Sequence, residues 1–394
     1  MKMMRGLQAQ GEFKPRDGYI PTEREVKEQM ALRGNLIWYN PKLELITKPV
    51  PVPKDDEVLL KVGAAGVCGS DTLCLGADKD NYSKFFAHCK FPVILGHEYS
   101  GEVVAVGEKC QTIKVGDLVV AETMNWCGEC DACRTGMFNQ CERLEEIGWT
   151  IDGGYAEYLV AKEKFCFGIG DMLQRYQTKE RALEAAALVE PCAVAYNGLF
   201  IRGGGFLPGS YVAIHGCGPV GLGAVAEAKA AGASKVFAMD VVPERLEKAK
   251  KLGADFVYNP VEVNKNGSSV SEEINAHTHG KGAFMHVETT KNANSTIPEM
   301  LKSLAVGGKI VQIGIIPDLT CFDAFVIQTK GASYHGSMGS AGHGIWANVV
   351  ALAASGQIDM EGMIAARYKL DDAIKAMEHA YSGAPGKVII TPNW

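Results

Sequence analysis

Four cysteines late in the first half of the chain have the spacing of a closed metal site. Cys127, Cys130, Cys133 and Cys141 follow the pattern C-x2-C-x2-C-x7-C. Four thiolates form a tetrahedral shell around zinc at about 2.3 Å, which leaves no position for a substrate. Clustered cysteines could instead form disulfides, but twelve cysteines in 394 residues without a recognisable signal peptide are typical of a reduced, intracellular protein. The sequence therefore predicts a structural zinc lobe at about residues 124–145.

A second group of possible ligands lies upstream and mixes chemical types. The run Gly66–Asp71 contains Cys68, and His97 and Glu98 add an imidazole and a carboxylate. Mixed ligands from separated segments favour a zinc that keeps one position open for water or substrate. Cys68 alone would more often be a small buried hydrophobic residue, and His97 alone an ordinary histidine. In the company of the other motifs they predict a second, catalytic zinc.

Length and charge set the class of protein. A chain of 394 residues exceeds one ordinary core, so two domains are expected. The net charge of −6 and the lack of a long basic run argue against nucleic acid or an anionic membrane as a partner. No apolar run reaches the roughly 18–20 residues of a membrane helix, and the N-terminus lacks the apolar core of a secretory signal. We therefore expect a cytoplasmic protein.

The first half of the chain has a β-rich texture. Short apolar runs punctuated by glycine predict an all-β, partly barrel-like domain that carries the zinc loops. Residues 14–33 are interpreted as an insertion, because Thr22 and Glu25 form a capping-box pattern at the start of a polar helix that is predicted to extend to about Arg33. This helix is expected to be a surface or subunit-contact feature. Trp149 is one of several aromatic residues that could line a substrate pocket or simply pack.

From Gly209 onward, predicted strands alternate with predicted helices. This alternation indicates a right-handed, doubly wound parallel sheet. Between a strand at Tyr211–His215 and a helix, Gly216, Gly218 and Gly221 form the pattern G-x-G-x-x-G. Alone, the pattern is weak, but this strand–turn–helix context is the one that dinucleotide binding requires.

The acidic residue that follows the next strand indicates which dinucleotide binds. Asp240 stands 24 residues after Gly216. A carboxylate there would accept hydrogen bonds from the adenosine ribose and repel a 2′-phosphate, which favours NAD(H) over NADP. The helix N-terminus would offer free N–H groups to the pyrophosphate.

With both zinc motifs and the glycine fingerprint in hand, the chain resembles the zinc-dependent medium-chain alcohol dehydrogenases, from Leu36 to the C-terminus. Glu190-Pro191 is similar to the polyol branch (sorbitol, threonine and inosose dehydrogenases), because ethanol-oxidising enzymes have a cysteine ligand there. The segments 188–197, 202–205 and 336–344 are similar to those of inosose dehydrogenases. The motifs that carry the resemblance are GVCGSD, GHE, the four-cysteine lobe, DGGYAEY, GCGPVG and the late GSxG.

The resemblance implies a fold class and a division of the chain. The fold class is α/β, with a GroES-like β-rich catalytic domain and a Rossmann cofactor domain. The expected limits are residues 1–192 for the catalytic domain, 193–337 for the cofactor domain, and 338–394 for the C-terminal return to the catalytic domain. The final strand has no partner that the sequence identifies.

The resemblance also implies the roles of single residues at the catalytic zinc. Cys68, His97 and Glu190 would hold the ion, Glu190 either directly or through water. Glu98 would be a ligand in some states and a neighbour of the ligands in others. Ser70 matches the hydroxyl that passes the alcohol proton outward. Many relatives extend this relay with a histidine at the position occupied here by Leu73, so the proton must leave by another route.

Further cofactor contacts are implied by the same family pattern. They add to the three glycines and Asp240 the residues Pro219, Val220, Arg245, Ile313, Gly314, Ile315, Ser337 and Met338. Two zinc ions per chain and NAD(H) are the expected cofactors, and a homodimer or homotetramer is the expected assembly.

The leading hypothesis is an NAD-linked dehydrogenase of a secondary alcohol, a polyol, sugar or cyclitol. Zinc would act as a Lewis acid on the substrate oxygen, so that an alkoxide forms near neutral pH and its carbon gives hydride to nicotinamide. A second hypothesis keeps this chemistry but assigns a bulkier, apolar alcohol or ketone. A third is a non-catalytic NAD- and zinc-binding redox sensor, against which the combination of Cys68, His97 and Glu190 argues.

Overall fold

The structure, a computed structural model, describes residues 2–316 and 319–393. It divides into two compact units. Unit 1 comprises Met1–Glu190 and Ile364–Trp394, and unit 2 comprises Pro191–Met363. The predicted domain limits at 192/193 and 337/338 stay a prediction; the compact units change at 190/191 and 363/364.

The strands follow the chain from one unit to the other and back. In chain order they are β1 (Met3–Phe13), β2 (Trp38–Pro49), β3 (Glu57–Val67), β4 (Val93–Ile94), β5 (Glu98–Val106), β6 (Leu118–Ala121), β7 (Met124–Asn125), β8 (Glu145–Glu146), β9 (Tyr158–Lys162), β10 (Cys166–Gly168), β11 (Tyr211–His215), β12 (Lys235–Met239), β13 (Phe256–Tyr258), β14 (Ala283–Glu288), β15 (Leu304–Gln312), β16 (Ser333–Gly336), β17 (Ile364–Lys369) and β18 (Lys387–Thr391).

Helices are concentrated in unit 2 and at the end of the chain. The α-helices are α1 (Glu23–Glu28), α2 (Asp131–Arg134), α3 (Gly170–Tyr176), α4 (Lys179–Ala186), α5 (Val189–Tyr196), α6 (Pro219–Ala230), α7 (Pro243–Lys251), α8 (Pro260–Lys265), α9 (Val270–His277), α10 (Ala293–Lys302), α11 (Ala324–Lys330), α12 (Ile345–Ala354) and α13 (Ala373–Tyr381). A π-helix, Asn197–Arg202, continues α5. Short 3-10 helices are at Gly34–Leu36, Asp71–Leu75, Phe138–Gln140, Glu163–Phe165, Glu361–Met363 and Leu370–Asp372.

Unit 1 is built around a mixed sheet with the order β10-β6-β5-β3-β18-β17, in which β9 also pairs with β3. A smaller sheet has the order β2-β1-β4. The last strand, β18, is antiparallel to β3 and parallel to β17, which gives it the partners that the sequence left open. The end of the chain therefore completes the sheet that carries the zinc-ligand loops.

Unit 2 contains a six-stranded, all-parallel sheet with the order β13-β12-β11-β14-β15-β16. In chain order, β11, β12 and β13 are placed from the centre of the sheet toward one edge. The next three strands, β14, β15 and β16, are placed from the centre toward the other edge. This reversal between β11 and β14 is the position at which doubly wound sheets bind ligands, beyond the carboxyl ends of the strands. The predicted Rossmann sheet is confirmed.

The insertion at residues 14–33 contains a shorter helix than predicted. The capping box of Thr22 and Glu25 is present, as predicted, but α1 ends at Glu28, and Gln29 adopts a left-handed conformation. The prediction of a helix to Arg33 was therefore wrong. The carboxylate of Glu25 accepts hydrogen bonds from the backbone N–H groups of Thr22 and Leu32 and from the Tyr19 hydroxyl, which fold the segment back after one and a half turns.

Across residues 2–316 and 319–393, none of the helices is long and apolar enough to cross a membrane.

Candidate active site and cofactor loop

Three of the predicted zinc ligands meet at the end of β3. The ligand atoms of Cys68, His97 and Glu98 all lie within 4.8 Å of one another. The register of the antiparallel pair explains this meeting, because Gly66 near the end of β3 lies opposite Glu98 at the start of β5. Thiolate, imidazole and carboxylate are all ligands that zinc accepts, so this donor set fits the ion that the sequence predicts.

A buried carboxylate orients the imidazole. Asp71 is fully buried, and its Oδ1 lies 3.3 Å from His97 Nδ1. Its Oδ2 accepts hydrogen bonds from the Cys68 N–H at 2.9 Å and from the Tyr155 hydroxyl at 2.6 Å. Burial opposes ionisation of Asp71, but His97 and these hydrogen bonds outweigh it, and the pKa of Asp71 is lowered. The 3.3 Å contact between Asp71 Oδ1 and His97 Nδ1 does not have hydrogen-bond geometry, but a carboxylate beside one ring nitrogen is the usual second partner of a metal-bound histidine.

Glu98 is held by a buried lysine from the last strand. Lys387 Nζ lies 2.6 Å from Oε1 and 2.5 Å from Oε2 of Glu98, and it also donates to the Val67 carbonyl. Both side chains are about 1% exposed. Burial disfavours a charged lysine, but Glu98 outweighs burial and raises the pKa of Lys387. The Glu98 carboxylate therefore has a permanent cationic partner before any metal ion binds.

Glu190 lies near this group but outside it. Among the described residues, it is not one of the side chains whose ligand atoms fall within 4.8 Å of Cys68 and His97. It is buried at the start of α5, and burial raises its pKa to about 7, opposed mainly by the charge of His97. Of the two glutamates that the sequence proposes as ligands, the structure brings Glu98 into the group.

Ser70 and Leu73 occupy the two positions that the family resemblance assigns to the proton relay. Ser70 is the N-cap residue of the 3-10 helix Asp71–Leu75, and its side chain forms no cap hydrogen bond. Leu73 lies in the same helix and packs against the apolar core of unit 1. The position at which many relatives extend the relay therefore contains only hydrocarbon in this chain.

The four cysteines of the lobe form a compact group of thiols. The Sγ atoms of Cys127 and Cys133 are 4.0 Å apart, and those of Cys130 and Cys141 are 3.9 Å apart. A tetrahedral zinc–thiolate site with bonds of about 2.3 Å has sulfur atoms about 3.8 Å apart, whereas a disulfide requires about 2.05 Å. All four thiols are free. The spacing and the donor type therefore fit a zinc ion.

The glycine loop of unit 2 has the geometry of a phosphate-binding turn. Gly216 follows β11 with φ at +95°, a conformation that favours glycine. A Cβ at Gly221 would collide with the Gly216 carbonyl oxygen, whereas a Cβ at Gly218 would meet nothing within 4 Å. Pro219 is the first residue of α6, and Val220 follows in the first turn. The loop is therefore tightly packed between Gly216 and Gly221 and leaves free space at Gly218. This arrangement fits close approach of a pyrophosphate.

Asp240 ties this loop to the end of β12. Its carboxylate accepts hydrogen bonds from the Cys217 N–H at 2.7 Å and from the Val242 N–H at 2.9 Å. Arg245 Nη1 lies 3.6 Å from the same carboxylate. The acidic residue that the sequence assigns to the ribose is thus also a structural part of the turn.

The remaining predicted cofactor residues lie at the same edge of the sheet. Ile313 and Gly314 follow β15, and both of their N–H groups donate to the Glu288 carbonyl at the end of β14. Ser337 follows β16 and is buried, whereas Ile315 and Met338 are exposed. The carboxyl ends of parallel strands meet at one edge of a sheet, so the topology brings all of these segments to the side where Gly216 lies.

Asp71, Tyr155 and Lys387 are the contributors that sequence reasoning did not assign. Asp71 belongs to the motif GVCGSD and Tyr155 to the motif DGGYAEY. The position of Asp71, a carboxylate three residues after a ligand cysteine, was a signal that could have identified it. No sequence signal links Lys387 to Glu98, because 289 residues separate them.

Comparison with known proteins agrees with this geometry. The family model for the alcohol dehydrogenase GroES-like domain matches residues 54–171, and that for zinc-binding dehydrogenases matches residues 219–355. Scyllo-inosose 3-dehydrogenase of Thermotoga maritima is 33% identical, with 94% of each chain covered, and sorbitol dehydrogenase of Bacillus subtilis is 34% identical over 89% of this chain and 95% of the relative.

A solved structure gives the same answer for the fold. A Thermotoga maritima structure described as an alcohol dehydrogenase matches with a TM-score of 0.92 and 32% identity, covering 98% of this chain and all of that one. The predicted GroES-like and Rossmann fold class and the predicted polyol-branch resemblance are confirmed. The chain therefore belongs to the zinc-dependent alcohol dehydrogenase family.

Proposed function

We propose that this protein oxidises a secondary alcohol of the polyol or cyclitol class to a ketone, using a catalytic zinc ion and NAD. The observation that carries the proposal is the group of Cys68, His97 and Glu98, whose ligand atoms lie within 4.8 Å of one another in a chain with a dinucleotide loop. The names of the inosose and sorbitol dehydrogenase relatives support a polyhydroxylated substrate.

The residues of unit 1 divide the work at the reacting centre. Cys68, His97 and Glu98 would hold the ion, and Glu190 would bind it directly or through water. A bound zinc would supply Lewis acidity toward the substrate oxygen. Asp71, whose Oδ1 lies 3.3 Å from His97 Nδ1, would help to orient the imidazole, and Lys387 forms a buried ion pair with Glu98.

The alcohol proton needs an acceptor that the chain provides. The Ser70 hydroxyl, two residues after Cys68, would take this proton. Leu73 cannot pass it on, since its side chain has no polar atom and packs in the core. From Ser70 the proton would leave through water or a cofactor hydroxyl.

The cofactor that fits unit 2 best is NAD(H), whose oxidised form would accept the hydride. Gly218 leaves room for the pyrophosphate at the N-terminus of α6. The buried Asp240 carboxylate would face the ribose and repel a 2′-phosphate. A second zinc ion would bind the four cysteines and hold the lobe, with no part in the chemistry.

A homodimer joined through unit 2 is the assembly we propose. β16 is the edge strand of the parallel sheet, and pairing of two such edges would continue the sheet. Large exposed apolar side chains lie in the segment between β15 and α11 and in α11: Ile315, Leu319, Phe322 and Phe325. Sedimentation velocity tests the proposal, and Phe325→Glu is expected to shift the protein toward the monomer.

Metal content and turnover test the function together. We expect two zinc ions per chain by elemental analysis and NAD reduction with cyclic or linear polyols. Cys68→Ala should lose one zinc ion and its turnover, while its NAD affinity stays close to that of the wild type. Turnover near the wild-type level in a Cys68→Ala protein shown to lack that ion would refute the catalytic assignment.

A further inference from the structure

The turn after β8 lies against the backbone that carries His97. The N–H groups of residues 149–151 all donate to the Glu146 carbonyl, which closes the turn tightly. Gly148, within this turn, packs closely on the backbone of Gly96, the residue before His97. A Cβ added at Gly148 would lie 2.9–3.1 Å from three backbone atoms of Gly96. The two side chains at the ends of the turn, Glu146 and Trp149, are therefore held beside the candidate zinc site.

Trp149 fixes the position of this turn. Its indole stacks on the Phe85 ring, with centroids 3.7 Å apart and planes 6° apart, and its centroid lies 5.8 Å from that of His97. Its backbone carbonyl accepts a hydrogen bond from the Lys90 N–H. With Trp149 buried and stacked, the turn has little freedom to move the neighbouring Glu146 away from His97.

The Glu146 carboxylate has hydrogen-bonding capacity that the described residues do not use. Its side chain is 22% exposed, and no described residue donates a hydrogen bond to it. His88 Nδ1 lies 3.8 Å from Glu146 Oε2, beyond hydrogen-bond distance. The turn that carries Glu146 packs through Gly148 on Gly96, the residue before His97. In contrast, the Oδ2 atom of Asp71 accepts hydrogen bonds from two donors, the Cys68 N–H and the Tyr155 hydroxyl.

The other nitrogen of His88 is also without a partner. Its Nε2 is buried and forms no hydrogen bond with the described residues. A neutral imidazole has one donor and one acceptor nitrogen, and a carboxylate accepts only. Together, Glu146 and His88 offer acceptors and a donor side by side. Hydroxyl groups, which both donate and accept, match such a pair, whereas an ammonium group can only donate.

We propose that Glu146, assisted by His88, is a specificity-determining residue that binds hydroxyl groups of the substrate other than the one that reacts. This inference rests on the proposed function, and it assigns a substrate class: a ring or chain with several hydroxyl groups near the reacting carbon. An apolar alcohol of the same size would leave the partly buried Glu146 carboxylate unpaired, which disfavours its binding.

The test compares two six-membered-ring alcohols that differ in their additional hydroxyl groups. The ratio of kcat/KM for myo-inositol to that for cyclohexanol is measured in the zinc-loaded wild type, in Glu146→Leu and in Glu146→Gln. We expect Glu146→Leu to lower the ratio about 10- to 100-fold, as for loss of a hydrogen bond to a charged group. Glu146→Gln, which keeps the shape and one acceptor, should lower it less.

A neighbouring glutamate supplies the matched control. Glu145 precedes Glu146 on β8, so its side chain points to the opposite face, where it pairs with Lys162 at 3.0 Å. Glu145→Gln should leave the ratio unchanged. Thermal unfolding checks that each variant is folded, and if Glu146→Leu does not fold, Glu146→Gln alone carries the comparison.

Binding is measured separately by titrating myo-inositol into the enzyme–NADH complex by calorimetry. Equal dissociation constants for the wild type and Glu146→Leu would overturn the inference, and so would equal losses of kcat/KM for both alcohols. In the latter case, cyclohexanol turnover by the wild type would leave the proposed dehydrogenase activity standing. Absence of turnover with every alcohol would refute the proposed function instead, and calorimetry would then decide the role of Glu146.

An amino alcohol separates the remaining alternative. If the wild type oxidised L-threonine in preference to myo-inositol and Glu146→Gln removed that preference, Glu146 would be an ammonium-binding residue and the hydroxyl assignment would be wrong.

Discussion

At the scale of single residues, the two ligands that β5 contributes are held in different ways. His97 has a carboxylate beside it, that of Asp71, whose Oδ2 accepts hydrogen bonds from the Cys68 N–H and the Tyr155 hydroxyl. Glu98 has an ammonium group behind it, from Lys387. An anionic neighbour strengthens imidazole as a donor to zinc, whereas a cationic neighbour weakens a carboxylate as a ligand. We infer that His97 is the more permanent ligand of the two.

Replacing Asp71 should weaken the catalytic site without unfolding the protein. Asp71→Asn keeps the shape of the side chain but removes the charge that orients His97. Loss of such a partner costs about 10- to 100-fold in metal affinity. Competition with a chromophoric chelator measures this loss for the more weakly held zinc ion. Asp171→Asn, an exposed position in the first turn of α3, is the control and should bind zinc as the wild type does. Unchanged affinity in Asp71→Asn would show that His97 is oriented by other contacts.

Glu227 is a buried acid that the proposed chemistry does not use. It lies in α6, is 1% exposed, and neither of its carboxylate oxygens finds a hydrogen-bond partner among the described residues. Burial raises its pKa well above the usual value of 4.5. We expect Glu227→Leu to raise the free energy of unfolding at pH 7 by about 1–3 kcal/mol, since it removes an unpaired buried polar group.

The gain from Glu227→Leu should depend on pH in a defined direction. A raised pKa in the folded state means that the unfolded chain releases this proton first as the pH rises above 4.5. Wild-type stability should therefore fall relative to Glu227→Leu as the pH rises from 5 to 7, by up to about 1.4 kcal/mol per pH unit. Urea unfolding at several pH values measures this difference. Glu227→Gln, which also cannot ionise, should show the same pH-dependent difference from the wild type, and a pH-independent gain in Glu227→Leu would contradict the explanation.

At the scale of elements, the cysteine lobe has little core of its own. The lobe is the segment from Trp126 to Leu144, and its buried apolar cluster consists of Cys130, Cys133 and Cys141 with a few partly buried neighbours. Its helix α2 has only four residues. A segment this short cannot fold on apolar burial alone, so the bound ion must supply most of its stability.

Removal of one thiolate should therefore loosen the lobe selectively. Cys133→Ser is expected to lower the zinc content from two ions to one per chain and to make residues 126–144 sensitive to proteases. The sheet of unit 1 should stay protected, because its strands are held by their own pairing and core. Limited proteolysis followed by mass spectrometry locates the cuts. Cys110→Ser, a free cysteine outside the lobe, is the control. Unaltered proteolysis in a zinc-depleted Cys133→Ser would mean that the lobe folds without metal.

At the scale of the whole molecule, the chain builds two compact units whose ligands differ. Unit 1 carries both candidate metal groups, and unit 2 carries the glycine loop between β11 and α6. A ligand that binds only the folded form stabilises the unit to which it binds. NAD at 100 times its dissociation constant should therefore add about 2.7 kcal/mol to the stability of unit 2.

Hydrogen exchange can localise this effect. We expect NAD to slow amide exchange most strongly in β11, α6 and β12. Exchange in the cysteine lobe should have the same rate with and without NAD. NADP at the same concentration is the control, since Asp240 should repel its 2′-phosphate. Equal protection by the two dinucleotides would contradict the proposed preference for NAD.

The sequence by itself determined the features that are local in the chain. The four-cysteine spacing, the glycine fingerprint between a strand and a helix, and the capping box at Thr22 and Glu25 each depend on residues a few positions apart. Short-range patterns follow from backbone geometry and ligand chemistry, which is why the strand Tyr211–His215 could be predicted to the residue. The end of α1 could not, because Glu25 redirects the chain through a contact with Leu32 rather than through any residue that stops a helix.

The tertiary structure alone decided how distant segments meet. The pairing of β18 with β3 brings Lys387 to Glu98, and the register of β3 on β5 brings Cys68 to His97. The closeness of Glu146 to His97 likewise depends on a turn packed against Gly96. Each of these contacts is set by strand register and close packing over long sequence separations, for which the order of residues along the chain gives no direct signal.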